Sequence, residues 1–355
     1  MTKKTAILLF NLGGPDNLDA VKPFLFNLFN DRAIINLPQP FRYFLAKFIS
    51  ARRNKKAQEI YKQIGGKSPI FELTFAQSES LEKELSFHSF YGDFKVFIAM
   101  RYWNPRLKET AKKILDYKPT QIILLPLYPQ FSSSTTDSSI KEFHENFPDK
   151  TIPVKTICCY PIDENFIAAH FNLIAQKLLK FPQYKIDEMR FLFSAHGLPQ
   201  KLIDAGDPYV FQVKKSTQKI VEKLQEKYGE IDFSICYQSK VGPLKWTSPS
   251  FEQELHRAIL DKKIPVIIPI AFTGEHSETL VELDIEYKEM AHKLKARDYI
   301  RIPALNSDIF YIKSLSEICL KISAESEENI FCGKNKNRIC PKNFKFCPNQ
   351  NHSKT

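Results

Sequence analysis

Six short apolar runs, each closing in a polar or Pro/Gly turn, constrain this chain more than any other feature. Three lie in the first half: TAILLFNLGGP from Thr5, KVFIAMRYWNP from Lys95 and QIILLPLYPQFSSSTTDS from Gln121. Three lie in the second: RFLFSAHGLP from Arg190, FSICYQSKVGP from Phe233 and PVIIPIAFTGEHSETL from Pro265. Continuous apolar runs of this length suit strands buried on both faces, and longer amphipathic segments alternate with them. The pattern predicts an α/β protein with parallel sheets, built as a weakly preserved duplication of a Rossmann-like half. Open sheets of this kind bind ligands outside the carboxyl ends of their strands, so the turns should carry the function, in a crevice between the halves.

The two halves differ in spacing. About 89 residues separate the first run from the second in the N-terminal half and about 43 in the C-terminal half, both above ordinary connection lengths. An inserted segment is therefore expected at about 21–75, holding FLFNLF, FRYFLAKFIS and the basic pair Arg52 and Arg53. Its aromatic and basic content suits a lid over an apolar anionic ligand, a membrane-facing lip or a subunit contact. Pro148, Pro153 and Pro161 mark the switch between halves. The expected division is 1–160 with the insert, 161–325, and a basic cysteine-containing tail, 326–355, without period and poorly packed.

Composition narrows the class by exclusion. The net charge of +11 comes from dispersed lysines without zinc-finger or RNA-binding spacing, so no nucleic-acid partner is expected. The longest apolar runs fall well short of the roughly 20 residues that cross a bilayer, and the N-terminus lacks a signal pattern. Seven cysteines without that signal read as reduced thiols in a cytoplasmic protein, with peripheral membrane contact as an added expectation. P-loop, GxGxxG and GxSxG patterns are missing, which removes nucleotide and hydrolase chemistries.

Two turns carry titratable chemistry. His196 follows an apolar strand and precedes Gly-Leu-Pro, a setting that suits a base or a metal ligand and also a strand-capping structural histidine. After the last strand, Glu275, Glu278, Glu282, Glu286 and Glu289 recur every three or four residues, with His276 among them. This spacing predicts one face of a helix beginning near Gly274, and like charges so spaced call for a cation or basic side chains. Imidazole and oxygen donors without a thiolate suit a divalent cation that is passed on rather than kept. Trp246, Tyr102 and Phe272 offer flat apolar surface, or simply core, and the hydroxyls from Ser132 to Ser139 offer carboxylate partners or a plain linker.

NLGGP, QIGGKSPI, YPQFSSSTT, SAHGLP, YQSKVGPLKW and AFTGEHSETLVELDIEY, in this order over about residues 5–320, resemble the ferrochelatases. The resemblance implies two four-stranded parallel domains with a porphyrin between them and Fe²⁺ as the metal inserted. It further implies that His196 and Glu278 work at the pyrrole nitrogens, and that His276, Glu282 and Glu286 line the approach for metal or protons. Leu12, Arg101, Tyr102, Trp246 and Phe272 match pocket-wall positions, Ser132 a propionate contact, and Arg52 and Arg53 the lip. Some members carry methionine in place of Leu12, so that residue shapes the wall rather than the chemistry. The expected reaction is iron insertion into protoporphyrin IX, by a monomer or homodimer with no cofactor needed for the chemistry. A chelatase for coproporphyrin or another metal, or a non-catalytic tetrapyrrole carrier, is the alternative. Some members hold a 2Fe–2S cluster on three closely spaced C-terminal cysteines. Cys332, Cys340 and Cys347 are spaced more widely, so a cluster, with Cys158 or Cys159 as fourth ligand, is the less favoured reading beside reduced thiols.

Overall fold

The computed structural model describes residues 3–240, 242–326 and 330–349, which form two compact units. The first contains β1 (Lys4–Asn11), α1 (Val21–Phe29), α2 (Phe41–Lys62), α3 (Ile70–Ser86), β2 (Asp93–Met100), α4 (Leu107–Tyr117), β3 (Gln121–Pro126), α5 (Thr136–Asn146) and β4 (Val154–Cys159). The second contains α6 (Glu164–Leu178), β5 (Met189–His196), α7 (Gln200–Asp204), α8 (Tyr209–Tyr228), β6 (Asp232–Gln238), α9 (Phe251–Leu260), β7 (Ile264–Pro269), a π-helix (Glu278–Glu286), α10 (Tyr287–Lys293) and β8 (Ile300–Arg301). Helix α11 (Ile309–Ser323) begins in the second unit and ends in the first, where β9 (Ile330–Cys332) follows. The chain thus passes from one unit to the other at Cys159–Tyr160, inside α11 at Ser314–Leu315, and again at Ile339–Cys340 and Cys347–Pro348.

Both sheets are wholly parallel, ordered β2-β1-β3-β4-β9 and β6-β5-β7-β8. Their central strands are buried on both faces, as the apolar runs require: Ala6–Leu9 and Phe191–Phe193 have no accessible surface. In each sheet the order reverses beside the first strand, between β1 and β3 and between β5 and β7. That reversal opens a crevice at the strand ends.

Two expectations change. The segment read as a switch between halves contains β4, the fourth strand of the first sheet. Its pattern is broken by Lys155, which is buried; its Nζ donates to Gln121 Oε1 at 2.8 Å and to the carbonyls of Ile322 and Ser323 at 3.1 and 3.2 Å, closing the C-terminus of α11. The described part of the tail is packed: β9 pairs with β4, making the first sheet five-stranded, and Cys332, Cys340 and Cys347 are all buried. The insert is half core and half surface. Val21, Phe24, Leu25 and Tyr61 pack with Tyr102, whereas Phe41, Phe44 and Phe48 are 68%, 63% and 62% exposed.

Candidate metallation site

Strand β5 delivers His196 to the crevice of the second sheet, and the chain must then turn at once. Gly197 N donates to Gln238 O at 2.9 Å; a Cβ there would lie 2.9 Å from that oxygen and 3.3 Å from the Trp246 ring. Only glycine fits so close an approach, and it sets where the His196 side chain starts. The ring's Nδ1 lies 2.8 Å from Glu278 Oε2, and His276 Nε2 lies 3.8 Å from the same oxygen. His276 Nδ1 sits 3.2 Å from Gly274 O, with the buried Phe272 ring 5.1 Å from the imidazole. His196 keeps 37% of its side chain accessible, so the pair can be reached.

Glu282 stands behind the pair. Its Oε2 accepts from Ser239 Oγ at 2.7 Å and from Gln238 Nε2 at 3.1 Å. That same amide donates to Glu278 O at 2.8 Å, and Ser194 Oγ donates to Gln238 Oε1 at 2.7 Å, which fixes its orientation. Gln238 and Ser239 end β6 within YQSKVGP. Residue chemistry alone did not single them out, because neutral amides and hydroxyls are common at strand ends.

Burial pushes His196 toward the neutral form, but the charge of Glu278, its hydrogen bond and Glu282 outweigh it and hold the imidazole above its ordinary value. Burial also opposes ionisation of Glu278, and here His196, by charge and hydrogen bond, and then His276 prevail and keep the carboxylate well below its usual range. Glu282 goes the other way: burial first and the Glu278 charge second raise it to about 7, against Ser239, His196 and Gln238. Among the described residues no lysine or arginine pairs with Glu278 or Glu282.

The acidic row is not one α-helical face. The helix starts at Glu278, not near Gly274, and winds as a π-helix through Glu286 before α10 continues it. Glu275 precedes it and binds Arg301, Glu286 is exposed, and Glu289 lies on α10, 3.6 Å from Lys293. A spacing of three or four residues cannot separate i→i+4 from i→i+5 winding, which is decided by what holds the helix from outside.

In the first unit, Arg101 is tied off rather than open. It donates to Asp31 Oδ2 at 2.7 Å, Ser138 Oγ at 2.8 Å and Glu142 Oε2 at 3.2 Å. Tyr102 is 2% exposed and donates to Asp31 at 2.8 Å, so it is core against α1 and not an open wall. Leu12 packs on that same cluster. Ser132 is buried, its Oγ 2.9 Å from Ser134 Oγ within its own loop. Arg52 and Arg53 are exposed on α2, Arg53 stacking 5.5 Å from the Phe29 ring. Trp246 is half-buried beside Gly197.

Of the cysteines, Cys158, Cys159 and Cys332 converge where β4 and β9 end, their sulfurs within 4.8 Å of one another. Cys332 is pulled toward the thiolate by hydrogen bonds from Cys158 and Cys159. Cys340 and Cys347 belong to the second unit, where Gln212 Nε2 donates to Cys340 Sγ at 3.1 Å.

Parallel sheets with imidazole and carboxylate gathered at a reversal point suit the chelatase class, which must hold a divalent cation loosely. Comparison agrees on the fold: SirB from Bacillus subtilis with Fe³⁺ matches with a TM-score of 0.51 at 13% identity, over 91% of this chain and 97% of that one. The Ferrochelatase family model matches residues 4–322. Relatives named Ferrochelatase are 52% identical over 97% of this chain and 95% of theirs in Rickettsia bellii (strain OSU 85-389), and 49% identical over 98% and 99% in Pelagibacter ubique (strain HTCC1062). The chain belongs to the ferrochelatase family. It is a metal chelatase, a lyase that inserts Fe²⁺ into protoporphyrin IX to form protohaem.

Proposed function

We propose that His196 and Glu278 form the working pair of this reaction. Insertion replaces two pyrrole N–H protons by one Fe²⁺, so the site must take up protons while admitting a cation. His196 accepts a proton, Glu278 stabilises the resulting imidazolium, and Glu282, poised near neutrality, passes protons or metal onward together with His276 and the exposed Glu286. Phe272 and Trp246 line the same strand ends with apolar surface. The observation that carries this reading is the 2.8 Å His196–Glu278 contact beside a second carboxylate that no lysine or arginine among the described residues pairs with. Loss of porphyrin fluorescence on anaerobic addition of Fe²⁺ tests it: His196→Ala should stop turnover while porphyrin still binds. Faster turnover of coproporphyrin than of protoporphyrin would move the substrate assignment.

Helix α2 is the proposed contact with an anionic membrane surface. Exposed Phe41, Phe44 and Phe48 accompany Arg42, Lys47, Arg52, Arg53, Lys55 and Lys56, while no helix among the described residues is long and apolar enough to cross a bilayer. Salt-sensitive co-sedimentation with anionic vesicles supports a cytoplasmic, peripherally bound enzyme; no co-sedimentation removes the contact.

The thiols Cys158, Cys159 and Cys332 fit a thiolate-bound 2Fe–2S centre in three of its four ligands. When bound, such a centre would cross-link β4 to β9; proton transfer and iron insertion do not call for its redox chemistry. Visible absorption in anaerobic, iron-replete protein that Cys332→Ser abolishes supports the centre, and colourless protein assigns the trio to reduced thiols.

A further inference from the structure

A nine-residue π-helix needs outside support, because i→i+5 winding is seldom sustained beyond a turn. On one side that support is the site itself, Glu278 reaching His196 on β5 and Glu282 reaching Gln238 on β6 and the adjacent Ser239. On the other side it is β8, which lies across β7 from β5 and β6 in the strand order. There Arg301 grips two carboxylates at once. Its Nε and Nη2 donate to Asp284 Oδ1 and Oδ2 at 2.8 and 2.5 Å, and its Nη1 and Nη2 to Glu275 Oε1 and Oε2 at 2.6 and 2.9 Å.

Asp284 lies within the π-helix and Glu275 in the turn that leads into it, so one guanidinium spans the helix start. Glu275 is locked further: its Oε1 accepts from Ala304 N at 2.8 Å, and its own N donates to Asn306 Oδ1 at 3.1 Å. Tyr299 Oη donates to Leu283 O at 2.8 Å from the same side. The side chains of Arg301 and Glu275 are 10% and 13% exposed, so that arm of the clamp is sheltered from water, whereas Asp284 is 37% exposed. His276 and Glu278 fall between its two anchors in sequence.

We infer that Arg301 is a positioning residue for metal insertion: its clamp on Glu275 and Asp284 holds the π-winding that brings Glu278 to His196. The inference rests on the reading that His196 and Glu278 work at the metal. A fork that fits two carboxylates cannot be replaced by a point charge, so Arg301→Lys keeps the charge and loses the geometry. Misplacement of a reacting group by about 1 Å is enough to cost on the order of 100-fold in rate.

The test compares Arg301→Lys, Asp284→Asn and His196→Ala in the full chain, assayed anaerobically with Fe²⁺ and protoporphyrin. Far-UV circular dichroism fixes a temperature at which each variant is folded. Arg301→Lys is expected to lower kcat by about 10- to 100-fold and raise the apparent KM for Fe²⁺, with the Kd for metal-free porphyrin within about twofold. Asp284→Asn, which leaves the Glu275 contact, should lose less. A folded Arg301→Lys enzyme with unchanged kcat and KM for Fe²⁺ overturns the inference, as does an unchanged Asp284→Asn enzyme if Arg301→Lys does not fold. His196→Ala separates the two claims. If it is inactive while Arg301→Lys is normal, only the clamp is wrong; if it turns over normally, the parent reading falls and the clamp's role with it.

Discussion

At the end of β2, in the first unit, Arg101 meets Asp31, Glu142 and Ser138, and Tyr102 adds a further bond to Asp31. At the end of β5, in the second unit, His196 meets Glu278, with Glu282 behind it and, among the described residues, no lysine or arginine paired with either carboxylate. Four strands of each sheet share an order, yet Asp31 and Glu142 are matched with a guanidinium, whereas Glu278 and Glu282 are left to titratable imidazoles, Arg301 pairing instead with Glu275 and Asp284. Burial opposes ionisation of Asp31, and the Arg101 charge with three hydrogen bonds overcomes it, leaving the carboxyl below its usual range; Glu282, with weaker help, rises to about 7. A permanent cation holds a network for as long as its carboxylates stay ionised, whereas imidazoles and an unmatched carboxylate stay open to protons and metal.

The sharpest way to break this comparison is His196→Ala. It should lower kcat by about 10³-fold, within the range for loss of a general base, while porphyrin quenching of protein fluorescence persists. Turnover near normal would make the open site ornamental. Glu278→Gln should cost about 10²-fold, and the double variant no more than the worse single one, because the two groups act as a unit.

Asp31→Ala attacks the closed network. It strips Arg101 of its nearest partner and should cost about 3 kcal/mol in denaturant unfolding, Glu142 limiting the loss. A stability change below about 0.5 kcal/mol would mean the network behaves as an ordinary surface pair.

Glu282 sharpens the contrast through pH. Its raised value means it holds a proton below about pH 7 and is ionised above. If the ionised form takes part, kcat/KM should rise with pH through that region, and Glu282→Gln should flatten this limb with a loss of about tenfold at pH 8. Glu286→Gln should act more weakly, on the apparent KM for Fe²⁺. Equal, small losses at all three glutamates would reduce the row to a solvated helix surface.

The smallest effect is expected where neither network reaches. Phe41, Phe44 and Phe48 changed together to serine should raise the apparent porphyrin KM by about two- to fivefold with little change in unfolding temperature, since these rings are already exposed. Unfolding of the variant would show them to be core.

Much of this was legible because buried parallel strands and tight turns leave local marks. The runs around Leu8, Leu124, Phe193 and Ile267 could hardly be anything but central strands, and His196 before Gly197 marked one end of a crevice. The acidic spacing after Gly274 showed that charge would be concentrated there. None of this depends on which partner lies across the space. What only the tertiary structure decided does depend on partners. Lys155 hid β4 until the carbonyls at the end of α11 were in place to receive it, and β9 became a strand only by meeting β4. Cys158 and Cys159 joined Cys332 for the same reason. Arg101 matched a pocket wall and Tyr102 read as apolar wall or core until Asp31 was in place to pair with both, and the glutamates read as one helical face until the π-winding and the bonds from Arg301 to Glu275 and Asp284 were in place. A periodicity records which residues share a face. Which hydrogen bonds wind the helix, and which charges are already matched, is settled by groups far away in sequence.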